Sequence, residues 1–288
     1  MFLSNGGKFF MPITKAIIPV AGWGTRRLPI TKIIEKSMLP VGNRPLVDYS
    51  VQELIKAGVK DIYMVISNVE PCQVREYYKD NIALNLYLEA RGKEDRLALA
   101  KTLPDDVKIH FTSQDPSGKY GTAVPIAMVV EEYNINEPVF VFFGDDFIWN
   151  PDGESAAESL LKSIESETDS AILGVEVSKE EMTKYGEITT ENGILKKIVE
   201  KPALEDVVSN LAHVSKFIMS PALLQEMVKY VHEHDFGPKD QEYMATDPLE
   251  TFVENGGIVR VAPTTGQYLD GGSIDGWVHA NNVVCGKN

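Results

Sequence analysis

The sequence predicts an α/β fold built on a mostly parallel sheet, and three observations predict it. Strand-like and helix-like segments alternate through the first half of the chain. A length of 288 residues suits one large α/β domain or two small ones, with a sizeable core. The first apolar run breaks into a glycine-rich loop, and open α/β sheets place ligands at strand ends.

Residues 15–20, KAIIPV, read as a buried strand. Residues 45–57 carry Val47, Val51, Leu54 and Ile55 at helical spacing, with Pro45 at the start and Gly58 as a stop. DIYMVIS, 61–67, is the next strand, and 83–101 is a charged helical stretch. A strand at 107–114, a helix at 121–133 and a strand at 138–146 follow. This order makes βαβ units with right-handed crossovers. The second half changes character. Asn192-Gly193 separates two alternating runs within 185–202, a strong hairpin signal. Helices at 221–232 and 246–254, a strand at 258–263 and a last helix after Gly272 complete the chain. Residues 1–14 read as an N-terminal extension. Residues 15–288 read as one domain, with no repeat or long linker to divide it.

The formal net charge of −14 argues against a nucleic-acid or anionic-membrane partner, since both need a basic face. The two cysteines, Cys72 and Cys285, have no metal-ligand spacing and read as reduced. No apolar run approaches the roughly 18 residues a membrane span needs. The N-terminus has neither a continuous apolar core nor a cleavage signal. A cytoplasmic protein is the expectation.

Against that acidic background stands IIPVAGWGTRRLPITKIIEKSMLP, residues 17–40. Two glycines follow the strand, and four cations, Arg26, Arg27, Lys32 and Lys36, then fall within eleven residues. A glycine-rich turn exposes backbone N–H groups in a concavity and admits a ligand closely. Each full charge adds about 4 kcal/mol of raw Coulomb attraction to an anion at 4 Å and an effective dielectric of 20. The stretch reads as a polyphosphate cradle, beside the bland alternative of a strand turn with a solvated basic loop. It lacks the third glycine of the dinucleotide fingerprint, where Arg27 stands, and it lacks G-x-x-x-x-G-K-[ST]. The phosphates must therefore be held by an extended loop. Asp145-Asp146 at a strand end is a candidate metal site, or else a cap on the next turn. His232 and His234 are two residues apart on a helix and point to different faces, so HEHD reads as a solvated helix end.

PVAGWGTRRLPITKIIEKSMLPV, together with matches that follow in order, closely resembles the signature of the sugar-1-phosphate nucleotidylyltransferases over nearly the whole chain. The helical stretch LEARGKEDRLALAK pulls toward the members that use UTP rather than dTTP. The resemblance implies a Rossmann-like mixed, mostly parallel sheet flanked by helices, of nucleotide-diphospho-sugar transferase type, with a smaller β-hairpin and a C-terminal helical part. It divides the domain into a nucleotide-binding half, 15–150, and a sugar-phosphate-binding and C-terminal half, 151–288. It implies UTP and glucose 1-phosphate as substrates, Mg²⁺ as cofactor, and a homodimer or homotetramer.

Residue by residue, the resemblance puts Ala21, Gly22, Gly24 and Thr25 at the nucleotide. Arg26 and Lys36 fall on the triphosphate, Gln114 at the pyrimidine edge and Gly121 under the base. Asp145 is implied as a metal ligand, with Asp270 assisting. Gly186, Glu200 and Lys201 are implied at the sugar phosphate. The catalytic set is then Arg26, Lys36, Asp145 and Lys201. The chain departs from the family pattern at Ser215-Lys216, Met244 and Ser273-Ile274. The rivals are the same chemistry with another nucleotide or sugar, a fold-sharing binding protein that has lost catalysis, and, distantly, a nicotinamide oxidoreductase.

Overall fold

The computed structural model describes residues 12–237 and 241–287, and the backbone of two short paired strands, Ser4–Asn5 and Lys8–Phe9, ahead of them. Most of the expected N-terminal extension lies outside the described residues.

The first half contains strands β1 (Lys15–Pro19), β2 (Asp61–Ser67), β3 (Lys108–Gln114) and β4 (Val139–Phe142). Helix α1 (Leu46–Lys56) joins β1 to β2. Three short helices, α2 (Gln73–Tyr77), α3 (Ile82–Glu89) and α4 (Glu94–Ala100), lie between β2 and β3, and α5 (Ala123–Glu132) leads into β4. The second half adds β5 (Asp146–Trp149), α6 (Ala156–Ser163), β6 (Ser170–Glu176) and α7 (Lys179–Met182). The hairpin β7 (Gly186–Glu191) and β8 (Ile194–Glu200) comes next, then β9 (Leu211–Met219), α8 (Pro221–Glu233) and α9 (Thr246–Glu254). The chain closes with β10 (Val259–Thr264), β11 (Gln267–Asp270) and α10 (Ile274–Val284).

Among the described residues, nine strands form one sheet in the order β6-β10-β8-β7-β9-β4-β1-β2-β3. The strands of the first half run parallel, β4-β1-β2-β3, as the βαβ rhythm requires. From β9 onward the pairing turns antiparallel; β6 pairs antiparallel with β9 and parallel with β10. The mixed sheet is therefore a parallel first half continued by a largely antiparallel second half.

Period-2 alternation sends the strand residues into two cores, one on each face. Ala16, Ile18, Ile62, Met64, Phe140 and Phe142 pack with Val47, Val51 and Leu54 of α1 and with α6. Ile17, Tyr63, Val65, Val139 and Val141 pack on the opposite face against α5, α8 and α9. Each fully buried aliphatic side chain contributes roughly 1.5–3 kcal/mol relative to exposure. A smaller cluster of Val41, Leu46, Phe147 and Leu269 with Ala280 seats α10 and the β5–β11 ribbon against α1.

Several elements differ from expectation. The 83–101 stretch is two helices, broken around Gly92 (φ +60°). The expected strand 138–146 ends at Phe142, and Asp146 opens a separate strand paired to β11. Asn192 and Gly193 both take positive φ, 53° and 75°, as a tight hairpin turn demands. The strand β9 was not anticipated, because Lys216 interrupts its apolar run. The structure buries Lys216 to 1 % exposure.

Candidate active site

The ends of β1 and β4 open on one cavity of about 300 Å³. Ala21, Gly22, Trp23, Arg26 and Lys36 line it from the loop after β1, Gln114, Tyr120, Gly121 and Thr122 from the end of β3 and the segment after it, and Asp145 from the segment after β4. The two glycines do different work. A side chain at Gly22 would meet nothing within 4 Å, so its backbone is open to a ligand. A Cβ at Gly24 would meet Lys36 Cβ at 2.9 Å, so Gly24 lets the loop close on itself. The Thr31 hydroxyl completes that closure by donating to the Gly24 carbonyl at 2.9 Å. Gly24 and Thr25 are not among the residues lining the cavity.

The four cations also separate. Thr25–Arg27 is one turn of 3₁₀ helix, which sends consecutive side chains in different directions. Arg26 and Lys36 line the cavity, Lys32 faces solvent, and Arg27 is buried at 2 % exposure. Lys36 Nζ donates to Asp145 Oδ2. Burial would raise the Asp145 carboxyl, but the Lys36 ammonium, with Lys216 beyond it, holds it below the usual carboxylate range. Asp145 is thus ionised, with 33 % of its side chain accessible.

Asp146 faces the other way. Its carboxylate accepts from Lys216 Nζ and from the Tyr268 hydroxyl at 3.1 Å. Lys216 also donates to the carbonyls of Phe143, at 2.9 Å, and Asp146, at 3.1 Å. Burial beside Asp145 pushes the Asp146 carboxyl up, against the pull of Lys216. Asp270 sits opposite Asp146 on β11, and the Gly271 N–H donates to the Asp145 carbonyl at 2.9 Å. A Cβ placed on Gly272 would lie 2.7 Å from Asp270 Oδ1, 3.5 Å from Lys36 Nζ and 3.6 Å from Arg26 Nη2. Two cations and two carboxylates therefore meet at the open end of the cradle.

The lining after β3 is built from both halves of the chain. Tyr243 N–H donates to the Tyr120 carbonyl at 2.9 Å, Ala123 N–H to the Tyr243 carbonyl at 2.8 Å, and Ala245 N–H to Thr122 Oγ1 at 2.8 Å. Gly121 is forced here. Its φ is +137°, and a Cβ would fall 2.3 Å from Tyr243 N. Gln114, beside it, spends its Nε2 on the Lys119 carbonyl at 3.2 Å.

The second group of expected residues lies on the hairpin, away from the cavity lining. Gly186 pairs across to Glu200 on β8 and to His213 on β9. Its missing side chain leaves the gap over which His213 Nε2 approaches Glu200 Oε1 at 3.5 Å. That contact lowers the Glu200 carboxyl. Lys201 is exposed, has φ +46°, and donates its N–H to the Tyr185 carbonyl at 2.9 Å. Tyr185 meets Tyr268 edge to face at 5.8 Å, and the Tyr268 hydroxyl donates to Asp146, so the start of the hairpin lies near the carboxylates. Trp23, which by sequence either packs over the cradle or fills space, lines the cavity; Glu242, Tyr243, His213 and Tyr268 are not singled out by sequence. No motif marks them: Tyr243 reaches the site through the packing of the chain's second half on its first, and Tyr268 through a partner 122 residues away. His232 and His234 bond Glu131 and the Tyr230 carbonyl, as a helix end would. Cys72 and Cys285 are free.

The profile of the family described as nucleotidyl transferase matches residues 15–286. The chain belongs to the nucleotidyl transferase family. This nucleotidyl transferase is 30% identical over 277 residues to a Mycoplasma pneumoniae protein named UTP–glucose-1-phosphate uridylyltransferase, covering 93% of this chain and 91% of that one. It is 30% identical over 275 residues to a Pseudomonas aeruginosa protein of the same name, covering 94% and 95%. A solved structure of UDP-glucose pyrophosphorylase complexed with UDP-glucose has a TM-score of 0.79 to it at 28% identity, covering 96% of this chain and 100% of that one. No helix among the described residues is long and apolar enough to cross a membrane.

Proposed function

We propose that this nucleotidyl transferase transfers the uridylyl group of UTP to glucose 1-phosphate, giving UDP-glucose and pyrophosphate. The observation that carries the reading is the meeting of Arg26, Lys36, Asp145 and Asp270 at the mouth of a glycine cradle. Relatives and a solved neighbour named for this reaction support it.

An oxygen of the sugar phosphate attacks the α-phosphorus in line, and pyrophosphate leaves from the far side. A phosphate monoester has its second pKa near 6, so the nucleophile is already largely dianionic at neutral pH. No general base is needed. The obstacle is repulsion between two polyanions, and the protein's task is positioning and charge neutralisation. Open N–H groups around Ala21 and Gly22 receive the triphosphate. Arg26 and Lys36 hold its outer phosphates and stabilise the departing pyrophosphate. Gln114 reads the pyrimidine edge, and Gly121 keeps that wall flat for the base. Glu200 accepts hydrogen bonds from glucose hydroxyls, and Lys201 brings in the sugar phosphate.

Asp145 and Asp270 suit a divalent metal. Both offer hard carboxylate oxygens, Asp145 is held ionised, and Mg²⁺ is commonly held by one or two carboxylates plus substrate phosphates. Bound there, Mg²⁺ would neutralise phosphate oxygens and stabilise charge in the transition state. Lys36 would then exchange Asp145 for phosphate as the nucleotide enters. The reading extends to a homodimer or homotetramer in the cytoplasm, and sedimentation of the purified chain checks the assembly.

The test is pyrophosphate release with Mg²⁺, over UTP, dTTP, CTP, ATP and GTP against glucose, galactose and N-acetylglucosamine 1-phosphates. A dominant UTP–glucose signal that chelation removes is expected. A dominant signal elsewhere in the grid moves the substrate. Silence from protein that still binds UTP leaves a nucleotide-binding protein without catalysis.

A further inference from the structure

Arg27 stands next to a phosphate-binding arginine, yet its guanidinium never reaches the cavity. It is 2 % exposed. Its Nη1 donates to the carbonyl of Gly271 and, at 3.0 Å, to that of Ser273. Its guanidinium lies 5.2 Å from the centre of the Trp277 ring, at the start of α10. Nε is buried without a partner among the described residues. Burying a cation this way is costly, and an apolar side chain of similar volume would fill the space at less cost. The contacts it makes instead all fall on one segment, 271–277.

That segment is the one that brings Asp270 to the cradle. Asp270 Oδ1 accepts from Gly272 N–H at 2.6 Å, and its Oδ2 from the Ser273 hydroxyl at 3.3 Å. A Cβ on Gly272 would lie 3.5 Å from Lys36 Nζ and 3.6 Å from Arg26 Nη2, so the segment passes beside both cations. One short turn of 3₁₀ helix thus carries Arg26 toward the ligand and Arg27 into the far segment. We propose that Arg27 is a positioning residue that fixes the distance between the phosphate loop and Asp270, and so sets affinity for the metal-bound nucleotide without touching it. The proposal rests on the reading of the cavity as the UTP site.

The test uses Arg27→Met, which keeps the buried volume apolar, and Arg27→Lys, which keeps the charge but cannot bridge two carbonyls and stack together. Hydrogen–deuterium exchange of the ligand-free protein reads the clamp directly. Amides of 270–277 should exchange about tenfold faster or more in Arg27→Met, with the sheet unchanged and Arg27→Lys between. Calorimetry with Mg²⁺ and UTP should show Kd weakened about 10–100-fold, the range for removing a partner that orients a ligating group. The KM for glucose 1-phosphate should stay within about twofold, because Arg27 makes no contact with the hairpin. Arg27→Lys should recover part of the UTP affinity. If Arg27→Met does not fold, Arg27→Lys carries the same comparison.

Unchanged exchange at 270–277 would overturn the clamp. Faster exchange with unchanged UTP affinity would make Arg27 a purely structural residue and overturn its positioning role. An equal rise for both substrates would mean general loosening and would also overturn it. Wild-type protein that binds no UTP would instead defeat the reading of the cavity, a result visible before any variant is made.

Discussion

The two ends of the site are built differently. At the proposed phosphate end, charged groups are held by one another and by backbone from distant parts of the chain. Lys36 pairs with Asp145, Arg27 grips 271–273, and Tyr243 stitches the 120–123 wall in place. At the proposed sugar end, Glu200 closes the hairpin and Lys201 follows it, both exposed, with His213 as the nearby support. A polyanion must be met by charges already aimed at it, since reorganising them during reaction would cost what their field supplies. A sugar offers hydroxyls to a surface that can adjust. The difference predicts that substitutions at the proposed phosphate end act on turnover, on fold or on the affinity for UTP, while those at the proposed sugar end act on the KM for glucose 1-phosphate.

The largest expected effect is that of Asp145→Ala. Turnover should fall by about three orders of magnitude, the scale for losing one key electrostatic group. The melting temperature should change little, because Asp145 is partly accessible. Near-normal turnover, read by pyrophosphate release, would remove Asp145 from the catalytic set.

Next comes a contrast between two glycines. Alanine at Gly121 would drive a methyl into the Tyr243 backbone at 2.3 Å, at a φ that L residues avoid. The cost should be about 3 kcal/mol of stability, read by denaturant unfolding. At Gly186 the same methyl meets only side-chain atoms, His213 Cδ2 at 2.6 Å and Glu200 Oε1 at 3.1 Å. Those can turn aside, so the cost should be near 1 kcal/mol and should surface instead as a higher KM for glucose 1-phosphate. Equal destabilisation by both would erase the distinction between a fixed wall and an adjustable one.

The smallest effect concerns pH. The contact with His213 holds the Glu200 carboxyl below its ordinary range. A carboxyl lowered in the folded state contributes stability above its unfolded pKa and loses it as pH falls through the folded value. The sugar end should therefore tolerate neutral and mildly acidic solution and weaken only below the unperturbed value of 4.5. His213→Ala should move the Glu200 titration, followed by carbon NMR, back up. An unmoved midpoint would show that His213 does not support Glu200.

Much of this plan was legible in the sequence, for physical reasons. Alternating strands and amphipathic helices give the parallel half directly, and Asn192-Gly193 marks a turn few other dipeptides adopt. Gly22, Arg26, Lys36 and Asp145 do meet in space, as the loop after the first strand suggested. Gly24, by contrast, serves the loop's own closure. Arg27, Lys216 and Tyr268 could not be read, because their meaning lies in partners 70 to 246 residues away. A lysine in mid-strand looks like solvent-facing charge until the sheet closes over it. The helical stretch 83–101 looked continuous because its charges and leucines keep helical spacing across Gly92, where the backbone turns left-handed.

The most direct measurement is a pair of steady-state titrations on Lys36→Ala and Lys201→Ala, each against both substrates. A charged hydrogen bond is worth about 1.5–3 kcal/mol, so each loss should raise one KM by about 10–150-fold. Lys36→Ala should raise the KM for UTP and leave that for glucose 1-phosphate nearly unchanged. Lys201→Ala should do the reverse. If either variant raised both equally, or the two effects were exchanged, the assignment of a triphosphate end and a sugar-phosphate end would be wrong.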